Sequence, residues 1–336
     1  MVASVIICTY NRSHLLGRVI RSLACQSVPA DKFEIIVVDD GSTDGTARLC
    51  AMIREELPNL RYLSTGKNLG LACAENIGVR SAQGKFLLFI DDDCIAQKDW
   101  VECQTAALEG QPIVAGAIAS PVSSYIKLCH NLSQFHAFMK RRKTAEMESL
   151  AGANMGLRPS VLKDLGGFDE ESKAPDWEIM LRARSKGYPI YFAPEAVVLH
   201  DPDRKSLASI LRHSSDHASQ TILLRNKYRS ILRTPFVLRS PELLSFLAPL
   251  IALVTTLKIF LTNWNLLRYV RTVPLIYAQK LAWCWGAAKS LSTTARGRKT
   301  RRFERASTSP IFLEETEGAS GRTESEVPRV LEKGRV

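Results

Sequence analysis

Phe86-Leu87-Leu88-Phe89-Ile90-Asp91-Asp92-Asp93 runs an apolar stretch straight into three consecutive carboxylates. Such a short, unbroken apolar run reads as a strand buried on both faces, and the first acid marks where it leaves the sheet. Side chains alternate along an extended chain, so Asp91 and Asp93 face the same side. Packed like charges raise one another's pKa unless a cation or solvent offsets them. Hard carboxylate oxygens suit Mg²⁺ or Mn²⁺. A solvated acidic turn is the plainer alternative. An EF-hand fits poorly, because the glycine its loop requires is absent downstream.

Outward from this strand, β-rich runs alternate with helical ones. Ser4 to Cys8, Glu34 to Val38, Leu60 to Leu63 and Ile113 to Ala117 read as further strands. Segments near Leu15 to Ala24, Asp44 to Leu57, Ala72 to Ser81 and Trp100 to Leu108 read as helices. The alternation predicts an α/β fold, a Rossmann-like, mostly parallel sheet flanked by helices. Ligands of such sheets collect beyond the carboxyl ends of the strands. Thr9-Tyr10-Asn11-Arg12, Asp39-Asp40-Gly41-Ser42 and Asp91-Asp92-Asp93 all stand at such ends. Asp39 or Asp40 can accept the imide hydrogen of a uracil or thymine ring, or a ribose hydroxyl, while Ser42, Thr43 or Asp44 can cap the next helix. No G-x-G-x-x-G follows the first strand, and no G-x-x-x-x-G-K-[ST] occurs. Without those amide cradles, a diphosphate must be neutralised by a metal ion or by basic side chains.

Taken together, Val5 to Arg12, Val38 to Asp44, Asn68-Leu69-Gly70 with Asn76, and Leu88 to Asp93 resemble glycosyltransferase family 2, of the GT-A fold. The resemblance continues through Gly152-Ala153-Asn154-Met155, Gly166 to Glu170, Asp176 to Arg182 and Val197 to His200, covering about the first 200 residues. It implies inverting transfer of a sugar from a nucleotide diphosphate donor. On that likeness Thr9, Asn11, Arg12, Asp39, Asp40, Asn76, Asp91 and Asp92 are expected on the nucleotide sugar. Asp93, Asp91 and His200 are expected at a Mn²⁺ or Mg²⁺ ion, and Gly152, Asn154 and Glu178 on the acceptor or diphosphate side. Asp176 matches the acid that removes the acceptor hydroxyl's proton. The family often has Glu-Asp there, where this chain has Pro175-Asp176, so Glu178 is the other candidate base. A helix N-terminal acid favoured by the dipole is the structural alternative for Asp176. A noncatalytic nucleotide-sugar-binding or scaffold protein is the rival function.

Charge separates this region from the remainder of the chain. Lys and Arg number 23 against 25 acids up to Arg204, and 22 against 9 beyond it. The motifs thus lie in the slightly acidic part, which argues against a nucleic-acid partner, and the basic surplus belongs to an appendage. The expected divisions are a catalytic domain over 1–204, a basic helical segment over 205–240, apolar helices over 241–290, and a disordered basic and polar tail over 291–336. Leu243 to Leu261 approaches the length of a membrane span but holds Pro249 and Lys258. Val273 to Ala288 carries Gln279, Lys280, Tyr277, Trp283 and Trp285, as in-plane helices do. Arg268 and Arg271 between them disfavour a translocated hairpin. The expectation is a C-terminal helical, membrane-associated appendage lying on an anionic cytoplasmic surface.

The eight cysteines include no C-x-x-C pair, and no basic leader precedes an apolar segment, so a reducing compartment is expected and the Asn131-Leu132-Ser133 sequon reads as accidental. Processive members of the family carry Q-x-x-R-W after the catalytic domain. Gln279-Lys280-Leu281-Ala282-Trp283 lacks the arginine, so addition of a single sugar to a lipid-linked or surface-glycan acceptor is expected.

Overall fold

The structure, a computed structural model, describes residues 1–139 and 145–307, with 295–307 described by backbone alone. The tail expected to be disordered falls outside the described residues from 308 onward. In chain order the elements are β1 (Ala3–Thr9), α1 (Ser13–Ala24), β2 (Phe33–Asp39), α2 (Thr46–Glu56), β3 (Leu60–Ser64), α3 (Leu71–Ser81), β4 (Phe86–Ile90), β5 (Cys94–Ala96), α4 (Trp100–Gly110) and β6 (Ile113–Ala119). Then come α5 (Tyr125–Phe135), β7 (Ala145–Met147), β8 (Asn154–Leu157), α6 (Pro159–Leu165), α7 (Pro175–Ser185), β9 (Ile190–His200), α8 (Leu207–Lys227), α9 (Pro241–Leu261) and α10 (Val273–Ser307).

The strands pair in the order β3-β2-β1-β4-β8-β6-β9-β5, with β7 also on β9. The first four run parallel, as their alternation with helices requires. β8 then pairs antiparallel with both β4 and β6, and β5 and β7 pair antiparallel with β9. The sheet is therefore mixed, its parallel character confined to β1 through β4 and the β6–β9 pair. β2 and β4 are buried along their whole length, because helices cover both faces. α1 turns Leu15, Leu16, Val19, Ile20 and Leu23 inward at helical spacing.

Asn154, expected at the site, instead ties the sheet to α4. It is fully buried; its amide donates to the carbonyls of Ala117 (2.8 Å) and Ala196 (2.9 Å), and its Oδ1 accepts from Trp100 Nε1 (2.8 Å) and Gln104 Nε2 (2.7 Å). All its hydrogen-bonding capacity is used, which leaves none for a substrate. Asn154→Ala should cost about 3–5 kcal/mol, because it strands two buried donors and two carbonyls. Urea denaturation checks this, and a loss under about 1 kcal/mol would contradict it.

Residues Met1–Thr294 form one compact unit, so α8, α9 and the first part of α10 pack with the sheet domain. Leu128, Cys129 and Leu132 of α5 meet Ile259, Phe260, Leu266 and Ile276. Ala218 and Ile222 of α8 meet Leu244, Ala248, Cys284 and Ala287. The opposite side of α9 is bare, with Phe246 80% and Leu261 64% exposed beside Leu250 and Val254. With a mean hydropathy of 2.1, α9 is by length and composition apolar enough to cross a membrane.

Candidate active site

β1 is flanked by β2 and β4, so the polar ends of all three strands meet at one sheet edge. Thr9 pairs with Asp39 across the ladder, and its hydroxyl donates to Asp92 Oδ2 at 2.7 Å. Arg12 binds Asp92 at 2.7 Å and Asp93 at 2.6 Å. Asn11 has φ 54°, a left-handed conformation that asparagine tolerates better than most residues. There its N–H donates to Ser42 Oγ (2.8 Å) and its Oδ1 accepts from the Thr43 N–H (2.8 Å), joining the first two strand ends.

Asp39 and Asp40 organise the rim. Asp39 accepts from Tyr62 OH (2.6 Å) and the Ser42 N–H (2.8 Å). Asp40 accepts from the amides of Leu69 and Gly70, both at 2.8 Å, which anchors the Asn68-Leu69-Gly70 loop. Any contact to a nucleoside must use the lone pairs these bonds leave. Gly41, at φ +79°, turns the chain where a Cβ would come within 2.4 Å of the Lys67 backbone. Asp44, rather than Ser42 or Thr43, reaches α2, accepting from the Thr46 N–H at 3.0 Å.

The antiparallel pairing of β5 with β9 sets Cys94 opposite His200 and so carries His200 to the end of β4. One ligand atom each from Asp91, Asp93 and His200 lie within 4.8 Å of one another. Asp93 Oδ1 is buried, accepts no hydrogen bond, and stands 3.4 Å from His200 Nε2. Asn131 fixes the ring: its amide nitrogen donates to the His200 carbonyl (2.7 Å) and to Ser120 Oγ (3.0 Å), which aims its Oδ1 at His200 Nδ1, 2.7 Å away. Nδ1 then carries the proton and the Nε2 lone pair faces Asp93, the arrangement of a metal-ligating histidine. Asn131 and Ser133 are both buried, so the sequon is part of the core.

Burial, then the charges of Asp93 and Asp92, push the Asp91 carboxyl well above the ordinary range. Burial likewise raises Asp92, to about 6, against the pull of Arg12. Burial opposes ionisation of Asp93 too, but His200 when protonated, and Arg12, outweigh it and hold that carboxyl below the usual value. An orphaned buried oxygen, a lone-pair-bearing imidazole and an acid strained by like charge make a donor set that fits a divalent cation.

Asp176 stands in the first turn of α7, where the Gly152 N–H donates to its Oδ2 at 3.1 Å. A Cβ on Gly152 would lie 3.3 Å from Asp176 Cβ, so the glycine permits the approach. Burial raises the Asp176 carboxyl, and the amides of Gly152 and Trp177 offset part of that. Glu178, the other candidate base, is engaged elsewhere: fully buried, it accepts from Arg182 Nε (2.7 Å) and Tyr228 OH (2.8 Å), tying α7 to the residue that ends α8. Asn76 is also engaged elsewhere, exchanging hydrogen bonds with the Phe168 backbone (both 2.9 Å) and donating to Glu170. It lines a cleft of about 600 Å³ with Arg80, Lys163 and Gly167, which includes none of the acids of the strand ends.

Three site residues were not foreseen. Glu75 of α3 is buried with Oε2 unpartnered, and its carboxyl is pushed far up by burial and then by Asp176 and Asp91. Arg204, just past His200, is half-buried with Asp93 acting on its charge and no hydrogen-bond partner at Nε. Asn131 is the third. An acid among Ala72, Ala74 and Gly78 on a buried helix face was the one available signal for Glu75.

The glycosyl transferase family 2 model matches residues 4–166, and the glycosyl transferase family group 2 model matches residues 86–267. The chain belongs to glycosyltransferase family 2. The chain is 26% identical over 200 residues to Glycosyltransferase AglE of Haloferax volcanii, covering 59% of this chain and 66% of that one. It is 34% identical over 110 residues to the poly(ribitol-phosphate) beta-N-acetylglucosaminyltransferase TarS of Staphylococcus aureus, covering 32% of this chain and 19% of that one. The chain therefore spans somewhat less than two thirds of AglE and a fifth of TarS. Among solved structures, a mannosyltransferase from Pyrobaculum calidifontis in complex with GDP-Man and Mn²⁺ superposes with a TM-score of 0.56 at 21% identity, over 82% of this chain and 85% of that one. S. aureus TarS 1–349 in complex with UDP-GlcNAc gives 0.51 at 19%, over 88% and 92%. These likenesses establish the GT-A fold for this family 2 chain.

One consequence of the Asn131 contact is measurable. Asn131→Ala should weaken Mn²⁺ binding by about 10- to 100-fold, because the ring loses the partner that sets its tautomer. Mn²⁺ titration followed by electron paramagnetic resonance checks it, and unchanged affinity would remove His200 from the ligand set.

Proposed function

We propose that this family 2 glycosyltransferase is a metal-dependent, inverting and non-processive enzyme that transfers one sugar from a nucleotide diphosphate donor to an acceptor hydroxyl on a lipid-linked or surface glycan. The observation that carries the reading is the convergence of Asp91, Asp93 and His200 ligand atoms within 4.8 Å around an unpartnered buried oxygen. Mn²⁺ or Mg²⁺ held there would neutralise the leaving diphosphate. Arg12 and Arg204 supply fixed positive charge on the same side, and Thr9, Asn11, Asp39 and Asp40 form the nucleoside wall. Asp176 takes the proton as the acceptor oxygen bonds to the anomeric carbon and the nucleoside diphosphate departs, a single displacement that inverts the centre.

The layout we propose keeps the catalytic domain at 1–204, with the helices beyond it at a cytoplasmic membrane face. The bare side of α9 and the basic surplus beyond Arg204 support that placement. A screen of nucleotide sugars with Mn²⁺ and Mg²⁺, reading released nucleotide and product anomer by NMR, tests the proposal. A retained anomeric configuration would overturn the inverting step, and no nucleotide release from any donor would overturn the donor assignment.

A further inference from the structure

α8 carries His217 and Arg225, and α10 carries Lys280 and Trp283. The Arg225 guanidinium lies 4.8 Å from the ring centre of Trp177 and 5.9 Å from that of Trp283, between indoles from two other helices. The His217 ring is 6.5 Å from that of Trp177, and Lys280 Nζ donates to the Ser133 carbonyl at 2.7 Å. These basic groups are partly or wholly withdrawn from water, and among the described residues no carboxylate pairs with any of them. The charges acting on His217 are Lys280 and Arg225, and those acting on Lys280 are Arg225 and the Cys284 thiol. Burial first, and then these like charges, bring His217 down to about 4, while burial brings Lys280 to about 8.

Other sheltered cations have carboxylate partners: Arg18 and Lys127 share Asp201, and Arg182 has Glu178. Here Arg225 Nε and His217 Nδ1 are buried with no hydrogen-bond partner at all. Stacking between indoles offsets part of the desolvation of a guanidinium but supplies no acceptor. What is missing is an anion with several oxygens. A phosphoryl group answers that description, because its charge matches Arg225 and Lys280 and its oxygens can take their free donors. Trp177 follows Asp176 directly in the first turn of α7, so the cluster begins one residue from the proposed base.

We propose that Arg225, Lys280 and His217 form a phosphoryl-binding subsite for the acceptor, so that the enzyme glycosylates a phosphate-bearing molecule. The inference rests on the reading of Asp176 as the acceptor-facing base. The phosphate belongs either to a lipid headgroup or to a water-soluble phosphate ester, and the two sources are separable.

Full-length protein in EDTA, which withholds metal from the strand-end acids, is titrated with dihexanoyl phosphatidic acid and with glycerol 3-phosphate. Tryptophan fluorescence and the melting temperature are read together. At least one probe should change the fluorescence and raise the melting temperature of the wild type. A response to the phosphatidic acid alone assigns the phosphate to a lipid, and a response to both extends the subsite to soluble esters. Arg225→Gln and Lys280→Met should each weaken binding at least about tenfold, whereas Arg212→Gln, an exposed charge on the same helix, should not. No response of the wild type to either probe overturns the proposal, as does an equal loss in all three variants. Should the buried-site variants fail to fold, the wild-type response still decides. Nucleotide binding with Mn²⁺ should be unaltered in the variants. Its absence from the wild type would sink the transferase reading, whereas a missing phosphate response with nucleotide binding intact sinks only the subsite.

Discussion

Asp176→Asn is expected to leave nucleotide binding intact while lowering turnover by about 10²- to 10⁴-fold, the usual contribution of a positioned general base. Asparagine keeps the size of the side chain and can still accept from the Gly152 N–H, so the 3.1 Å contact that orients it survives. What it loses is the capacity to take a proton. The same chemistry fixes the sign of the pH dependence. Burial raises the Asp176 carboxyl above the ordinary carboxylate range. Since the base works only when ionised, activity should fall as pH decreases through that raised value, earlier than an exposed aspartate would allow. Steady-state kinetics with nucleotide affinity measured in parallel separates the roles, and wild-type turnover in the variant would remove Asp176 from the reaction. Glu178 offers no substitute, because Arg182 and Tyr228 already hold both of its oxygens.

Asp93→Ala should lower turnover by at least about 10²-fold and also weaken nucleotide binding, so that kcat and KM both suffer. The substitution deletes the orphaned Oδ1 and also frees Arg12 from its 2.6 Å ion pair. Asp93→Asn separates the two effects, since it keeps an oxygen but not the charge. If turnover with saturating Mn²⁺ matched the wild type in both variants, the strand-end acids would have no part in holding the diphosphate.

The half of the sheet that builds this site was legible because it obeys strong local rules. β2 and β4 are apolar runs that end in acids, and β1 is one that ends in Thr9-Tyr10-Asn11-Arg12, so each reads as a buried strand whose polar end opens at the sheet edge. The short antiparallel strands β5 and β8 were not legible for an equally local reason. β8 spans Asn154–Leu157 and β5 only Cys94–Ala96, too short for any periodicity to register. Three residues expected at the site are held by other partners for one shared reason. Asn154, Glu178 and Asn76 stand in motif positions, yet their bonds run to Trp100, Tyr228 and Phe168, partners 50 or more positions away in sequence. The residues missed have the same origin, since Asn131 acts through His200 and Glu75 feels Asp176 only once the chain has folded. The appendage also differs from a separable tail. α9 and α10 bury Leu128 and Leu132 of α5, so truncation near Arg204 would expose core surface and is expected to cost stability.

The most direct test of the account is a calorimetric titration of the wild-type protein with UDP and with GDP, in Mn²⁺ and again in EDTA. A metal held by Asp91, Asp93 and His200 predicts binding of at least one nucleotide with Mn²⁺, weakened by about 10²-fold or more in chelator. Equal affinity in EDTA would contradict the metal-dependent reading.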